Sequence, residues 1–113
     1  MQTASYITVI AVLAASLHAL IGWPATLLAG MVAAGSRAPI RVGALGVGLA
    51  WTGWVVYSFF VSDAAVLALL AFLSDATGGA PPVVIALLPT GLGIVWGGAS
   101  GALGAALRTW ITA

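Results

Sequence analysis

Cysteine, lysine, glutamate and asparagine are all missing from this chain of 113 residues, and only three Arg and two Asp carry a formal charge. Without cysteine there are no disulfides, zinc–thiolate sites or thiol nucleophiles. A net charge of +1 is too small to hold a phosphate backbone, which excludes nucleic acid as a direct partner. Charged residues are 4% of the chain, against roughly 25% in soluble domains, so a water-facing surface cannot be built. Disorder is excluded as well, because disordered segments are poor in apolar residues.

What is present is apolar. Hydrophobic residues make up 63% of the chain, and the mean hydropathy is +1.23. The composition predicts an all-α, polytopic integral membrane protein with 1–113 as one transmembrane helical domain. No basic residue precedes the first apolar run, which continues past any secretory h-region, so it reads as a retained membrane helix.

The charges divide the chain. Residues 1–36 carry none, Arg37 and Arg41 follow, and Val42 to Ser62 is a charge-free run of 21 residues. That length matches the about 20 residues a helix needs to cross the hydrocarbon core. Between Asp63 and Asp75 lie only 11 residues, too few to cross, so a short interfacial helix is expected there, N-capped by Ser62 or Asp63. The first run is long for one crossing and short for a hairpin, and Pro24 kinks or breaks it. Pro89 should likewise bend or restart the last run, leaving residues 90–107 as its main crossing. Three crossings place Arg37, Arg41 and Arg108 on one side and both aspartates on the other. By the positive-inside rule the Arg37–Arg41 loop and the C-terminus are cytoplasmic in the cell membrane. Tyr6 and Trp110 fit aromatic belts at the two interfaces.

Small residues form stripes. Gly93, Gly97, Gly101 and Ala105 recur every four residues in the last helix, widened by Gly98 and Gly104. Gly43, Gly46, Ala50 and Gly53 repeat the device in the middle helix, and Ala11, Ala14, Ala15 and Gly22 do so more weakly in the first. Such faces let helix backbones approach closely in lipid. So many of them point to self-association or docking to other membrane subunits.

Two resemblances rest on these residues. Ser100 to Arg108, SGALGAALR, resembles the Gly-Gly-x-x-Gly-Ala-x-x-Arg stretch of the small dimeric fluoride channels. Gly101, Gly104, Ala105 and Arg108 coincide, with Ser100 where that family has glycine. The family carries this motif in its first helix, together with an Asn and a Thr-Thr-Phe-Ser-Thr segment. Neither occurs here, so the ion-lining residues are missing and the stretch is expected to be a packing face. More loosely, Gly22-Trp23-Pro24, an Ala/Gly-rich helix, the basic loop at Arg37 and Arg41 and a Gly-rich helix are similar to conjugative pilins. That resemblance implies filament subunits packed with lipid, and the helices after Ser62 depart from it.

Chemistry has few candidates. His18 is the single histidine, and an ionisable group within a membrane helix is a functional-site candidate by default. It reads either as a cofactor-binding or proton-relay residue, with room beside Ala14 for a flat macrocycle, or as a neutral side chain bonded to Ser16, Thr8 or Thr52 of a neighbour. Arg37, Arg41 and Arg108 read as lipid head-group or topology anchors. Asp63 and Asp75 read as caps and surface charges, or as a cation ring in an oligomer. Trp51 and Trp54 are expected to pack on protein or lipid. No acid partner accompanies His18 and the carboxylates lie far away, so neither catalysis nor a metal site is expected, and no cofactor is required. The expected role is a non-enzymatic structural subunit packing through Gly43, Gly46, Gly53, Gly93, Gly97, Gly101 and Gly104. A small homo-oligomeric channel or transporter is the alternative, and a pilin-like filament subunit the third.

Overall fold

A computed structural model describes residues 2–112, and most of these are helical with no strand among them. Helix α1 spans Thr3–Leu20, α2 Thr26–Met31, α3 Pro39–Ala76 and α4 Pro82–Thr112. Single 3-10 turns at Trp23–Ala25 and Val32–Gly35 flank α2. Three helices, α1, α3 and α4, are long and apolar enough to cross a membrane. Hydroxyls inside them return to their own backbone: Thr8 donates to Ala4 O, Ser16 to Val12 O and Ser58 to Trp54 O, each at 2.8 Å. An apolar surrounding offers them little else. Large apolar side chains cover the outside, with Phe60 87% and Val95 70% exposed, a surface suited to lipid rather than water.

The first apolar run is not a single helix. Gly22 adopts φ +130°, open only to glycine, and its N–H bonds Leu17 O at 3.1 Å, ending α1. Pro24 then opens the 3-10 turn, and residues 23–35 return antiparallel to α1. The Tyr6 hydroxyl donates to Gly35 O at 2.9 Å, and Arg108 Nη1 donates to Ala34 O at 2.8 Å. Tyr6, Arg37 and Arg108 therefore share one end of the molecule, with Trp110 two residues beyond Arg108. This corrects the assignment of Tyr6 and Trp110 to opposite interfaces, and the start of α1 lies at the arginine end. The count of three holds for the long helices, and the shorter segment Trp23–Gly35 lies alongside them.

The expected short helix after Ser62 is present as the second arm of α3, behind a non-helical Ser62 at φ −154°, ψ 59°. Asp63 Oδ1 accepts from Ala64 N at 2.8 Å, so the aspartate rather than Ser62 meets the free amide. Phe59, Leu70, Leu73 and Ile85 line one cavity of about 210 Å³, which shows this arm folded against the first arm of α3 and the start of α4. Gly78, at φ +79°, ends α3 with Gly79 N bonded to Ser74 O at 2.8 Å, a Schellman closure. Helix α4 begins with Pro82 and continues through Pro89. The restart expected near Thr90 does not occur.

Glycines bring the backbones together at the arginine end. A Cβ on Gly43 would overlap the Gly97 carbonyl, and one on Gly97 would overlap that of Gly43. Further along α4, Gly101 lies on the Pro39 carbonyl and Gly104 on Met31, while Gly46 of α3 receives Ile10 of α1. Helices α1 and α3 run parallel and α4 returns antiparallel between α3 and α2. Six of the seven glycines read as docking positions thus pack within the chain. Gly53 is the exception, because a Cβ there would meet nothing within 4 Å. Gly97→Ala is therefore expected to destabilise the bundle by about 1–3 kcal/mol, as overpacking does. Gly53→Ala should be neutral or stabilising by up to about 1 kcal/mol. Thermal unfolding of both variants in one detergent checks the pair.

Candidate functional site: an aromatic pocket around His18

Where the glycines give out, aromatic rings take over. His18 sits in the last turn of α1, immediately before the Gly22 reversal, and faces α3. The rise from Tyr6 to His18 is about 18 Å, so the pocket lies well away from the arginine end. Trp51 and Trp54, three residues apart, share the α3 face that meets it. The imidazole centroid is 5.3 Å from Trp54, tilted at 33°, and 6.2 Å from Trp51, edge-on at 68°. The reversal carries Trp23 back over this group, 6.5 Å from Trp51 and 5.4 Å from Trp96 of α4, both edge-to-face. Four of the five tryptophans and the only histidine thus form one cluster.

The cluster lines two clefts that open to the outer surface of the bundle. One, of about 520 Å³, lies between His18, Trp23, Trp51, Pro89, Leu92, Val95 and Trp96. A second, of about 190 Å³, lies between His18, Trp51, Trp54, Val55, Ser58 and Pro89. His18, Trp51 and Pro89 line both, so the helix break at Gly22–Pro24 and the proline of α4 converge on one place.

His18 Nδ1 and the indole nitrogens of Trp51, Trp54 and Trp96 are buried without a hydrogen-bond partner. An unpaired buried donor costs about 1–3 kcal/mol. Among the described residues none of the hydroxyls named for His18 bonds it within the chain, and Thr8 and Ser16 bond their own helix. Thr52 is occupied too, donating to Gly48 O at 2.8 Å. With its one proton so placed, Thr52 accepts from Thr90 at 2.7 Å, and this bond joins α3 to α4 beside the pocket. Within the chain Trp51 and Trp54 meet His18. Trp23 and Trp96 were not legible as members of the site, because nothing local in the sequence links four tryptophans on three segments.

The remaining candidates lie elsewhere. Arg37 lines a polar recess with Gln2, Tyr6 and Ser36 at the arginine end. Arg41 is in the first turn of α3, and Asp63 and Asp75 bracket its second arm. Among the described residues no three His, Cys, Asp or Glu side chains gather as metal ligands. No protein-family model, curated protein sequence or solved structure matches this chain. The stretches that resemble fluoride channels and pilins therefore gain no support from comparison. A double-mutant cycle of Thr52→Val and Thr90→Val should give a coupling of about 0.6 kcal/mol, the size found for interhelical hydrogen bonds in membranes. Reversible unfolding in mixed detergent micelles measures it.

Proposed function

We propose that the protein is a non-enzymatic structural subunit of the cell membrane that packs laterally with a second copy of itself into a larger assembly. In this reading Arg37, Arg41 and Arg108 anchor the cytoplasmic face at anionic head groups, and Asp63 and Asp75 lie at the opposite face.

The observation that carries it is the outer face between α1 and α3. A groove of about 410 Å³ there is lined by Ala11, Ala15, Ala50 and Gly53, with Val12, Leu49 and Tyr57 beside them. Ala50 is itself buried in the core of the chain, and Gly53 beside it has no neighbour within 4 Å of a Cβ. The bulky neighbours stand out, Val12 being 63% exposed and Leu49 and Tyr57 each 56%. A two-fold dimer needs one face that carries both projections and a hollow, and this face has both. Close approach of small residues then supplies the van der Waals contact that drives helix association in lipid.

A second reading, a small homo-oligomeric transporter, is favoured by the convergence of the Gly22–Pro24 break and Pro89 on His18, since interrupted helices build binding sites at membrane depth. Ion flux in liposomes that His18→Ala abolishes would select it.

The mass and composition of the particle extracted gently from its native membrane test the main reading. Several copies are expected, falling to monomers in Gly53→Leu and Ala15→Leu with helicity unchanged. A monomeric wild type, or assembly indifferent to both substitutions, overturns it. Stoichiometric association with other polypeptides retains the subunit role but replaces the second copy as partner.

A further inference from the structure

The three arginines at one end of the bundle are placed differently. Arg108 is engaged within the chain, its Nη1 donating to Ala34 O at 2.8 Å. Arg41 stands exposed in the first turn of α3. Arg37 lies on the link between the returning segment and α3, where it is exposed and lines a recess of about 530 Å³ with Gln2, Thr3, Tyr6, Gly35 and Ser36. That volume is within the range of small-molecule sites, and every side chain lining it carries a polar group.

Two hydrogen bonds fix what the recess can offer. The Tyr6 hydroxyl donates to Gly35 O at 2.9 Å, and the Ser36 hydroxyl donates to Ala33 O at 2.7 Å. A hydroxyl has one proton, so both oxygens are left as acceptors only. The Tyr6 bond also ties the start of α1 to the end of the returning segment, so the recess is formed before anything enters it.

Charge then selects. Arg37 is the one charged side chain among the described residues that line the recess. Asp63 and Asp75, the only acidic side chains, bracket the second arm of α3, which packs on the start of α4 at the opposite end of the bundle. One guanidinium matches one negative charge, and its planar fork suits the oxygens of a phosphate. A dianionic phosphomonoester would leave a charge unmatched. An ammonium, as on zwitterionic head groups, would meet a cation and no carboxylate. What complements the two acceptor oxygens is an uncharged donor, a hydroxyl.

We propose that the recess holds the head group of an anionic phospholipid, a monoanionic phosphodiester that carries free hydroxyls. Arg37 takes the phosphodiester oxygens, and the Tyr6 and Ser36 oxygens accept from the head-group hydroxyls. The acyl chains lie against the returning segment, where Leu28 is 58% and Val32 37% exposed. This site rests on the reading that places the arginines at anionic head groups, and narrows it to one lipid class held by one residue.

The test uses the full-length protein with isotope-labelled arginine in phosphatidylcholine nanodiscs, into which phosphatidylglycerol or phosphatidylserine is titrated. At about 0.5 M salt the Debye length is about 4 Å, so exposed charges attract lipid only weakly. A saturable phosphorus–nitrogen dipolar coupling is expected by solid-state NMR with phosphatidylglycerol, at one lipid per chain. Arg37→Gln should remove it and weaken retention at least about tenfold, the loss of a charge-assisted hydrogen bond. Arg41→Gln should change retention at this salt by less than about twofold. A coupling that survives Arg37→Gln overturns the proposal. Equal retention of phosphatidylglycerol and phosphatidylserine does so too, a comparison made on the wild type and independent of how the variants fold. An anionic preference seen only at low salt overturns the site while leaving the arginines as anchors, and no preference at any salt removes both. Displacement by glycerophosphoglycerol, the same head group without chains, overturns the lipid in favour of a soluble phosphodiester.

Discussion

The backbone contact between α3 and α4 at Gly43 and Gly97 is the constraint on which the rest of the bundle depends. In lipid, helices gain nothing by hiding apolar side chains from water, so close van der Waals approach must hold them together. Each of these glycines faces the carbonyl of the other, and neither has room for a Cβ. That contact sets the spacing of the two longest helices. It also places Gly101 on Pro39 and Gly104 on Met31, and so draws α2 into the same layer. Arg108 then reaches Ala34, which fixes the end of α4 against the returning segment.

A bundle that is tight at one end must accommodate its bulk at the other. From Gly93 onward the α3–α4 interface is filled by Trp51, and the Thr52–Thr90 hydrogen bond replaces backbone contact. Beyond this the aromatic rings of four segments meet, with cavities between them and nitrogens that find no partner. Polar groups unsatisfied in an apolar interior are expensive, so packing alone does not account for them. The two halves of the molecule thus divide between them the tasks of holding together and of leaving space.

Several features were legible because they depend on local spacing. Steps of three and four identify a helix face whatever surrounds it, so the glycine stripes of α3 and α4 could be read directly. The interruption at Ser62–Asp63 was legible because 11 residues between two charges cannot cross a bilayer. The reversal at Gly22 was not, since a proline two residues later is compatible with a kink or a turn. The positive φ of Gly22 decides between them. Tyr6 was misplaced for the same reason: its distance from the arginines is short only once residues 23–35 fold back. Gly53 belongs to the same stripe as Gly43 and Gly46, yet it lies in the outer groove between α1 and α3, where a Cβ would meet nothing within 4 Å.

The sequence by itself determined the helical class of this protein and that it has helices long and apolar enough to cross a membrane, because composition and charge spacing act through transfer free energy, which needs no knowledge of neighbours. It also determined that small residues would lie on helix faces, because 3.6 residues per turn is a property of the backbone. Only the tertiary structure decided which of those faces are consumed inside the chain and which remain open. It alone brought His18, Trp23, Trp51, Trp54 and Trp96 together, since residues scattered over four segments become neighbours only when a turn and a crossing point are fixed. Both are fixed by single backbone geometries, at Gly22 and at Gly43–Gly97, that no periodicity encodes.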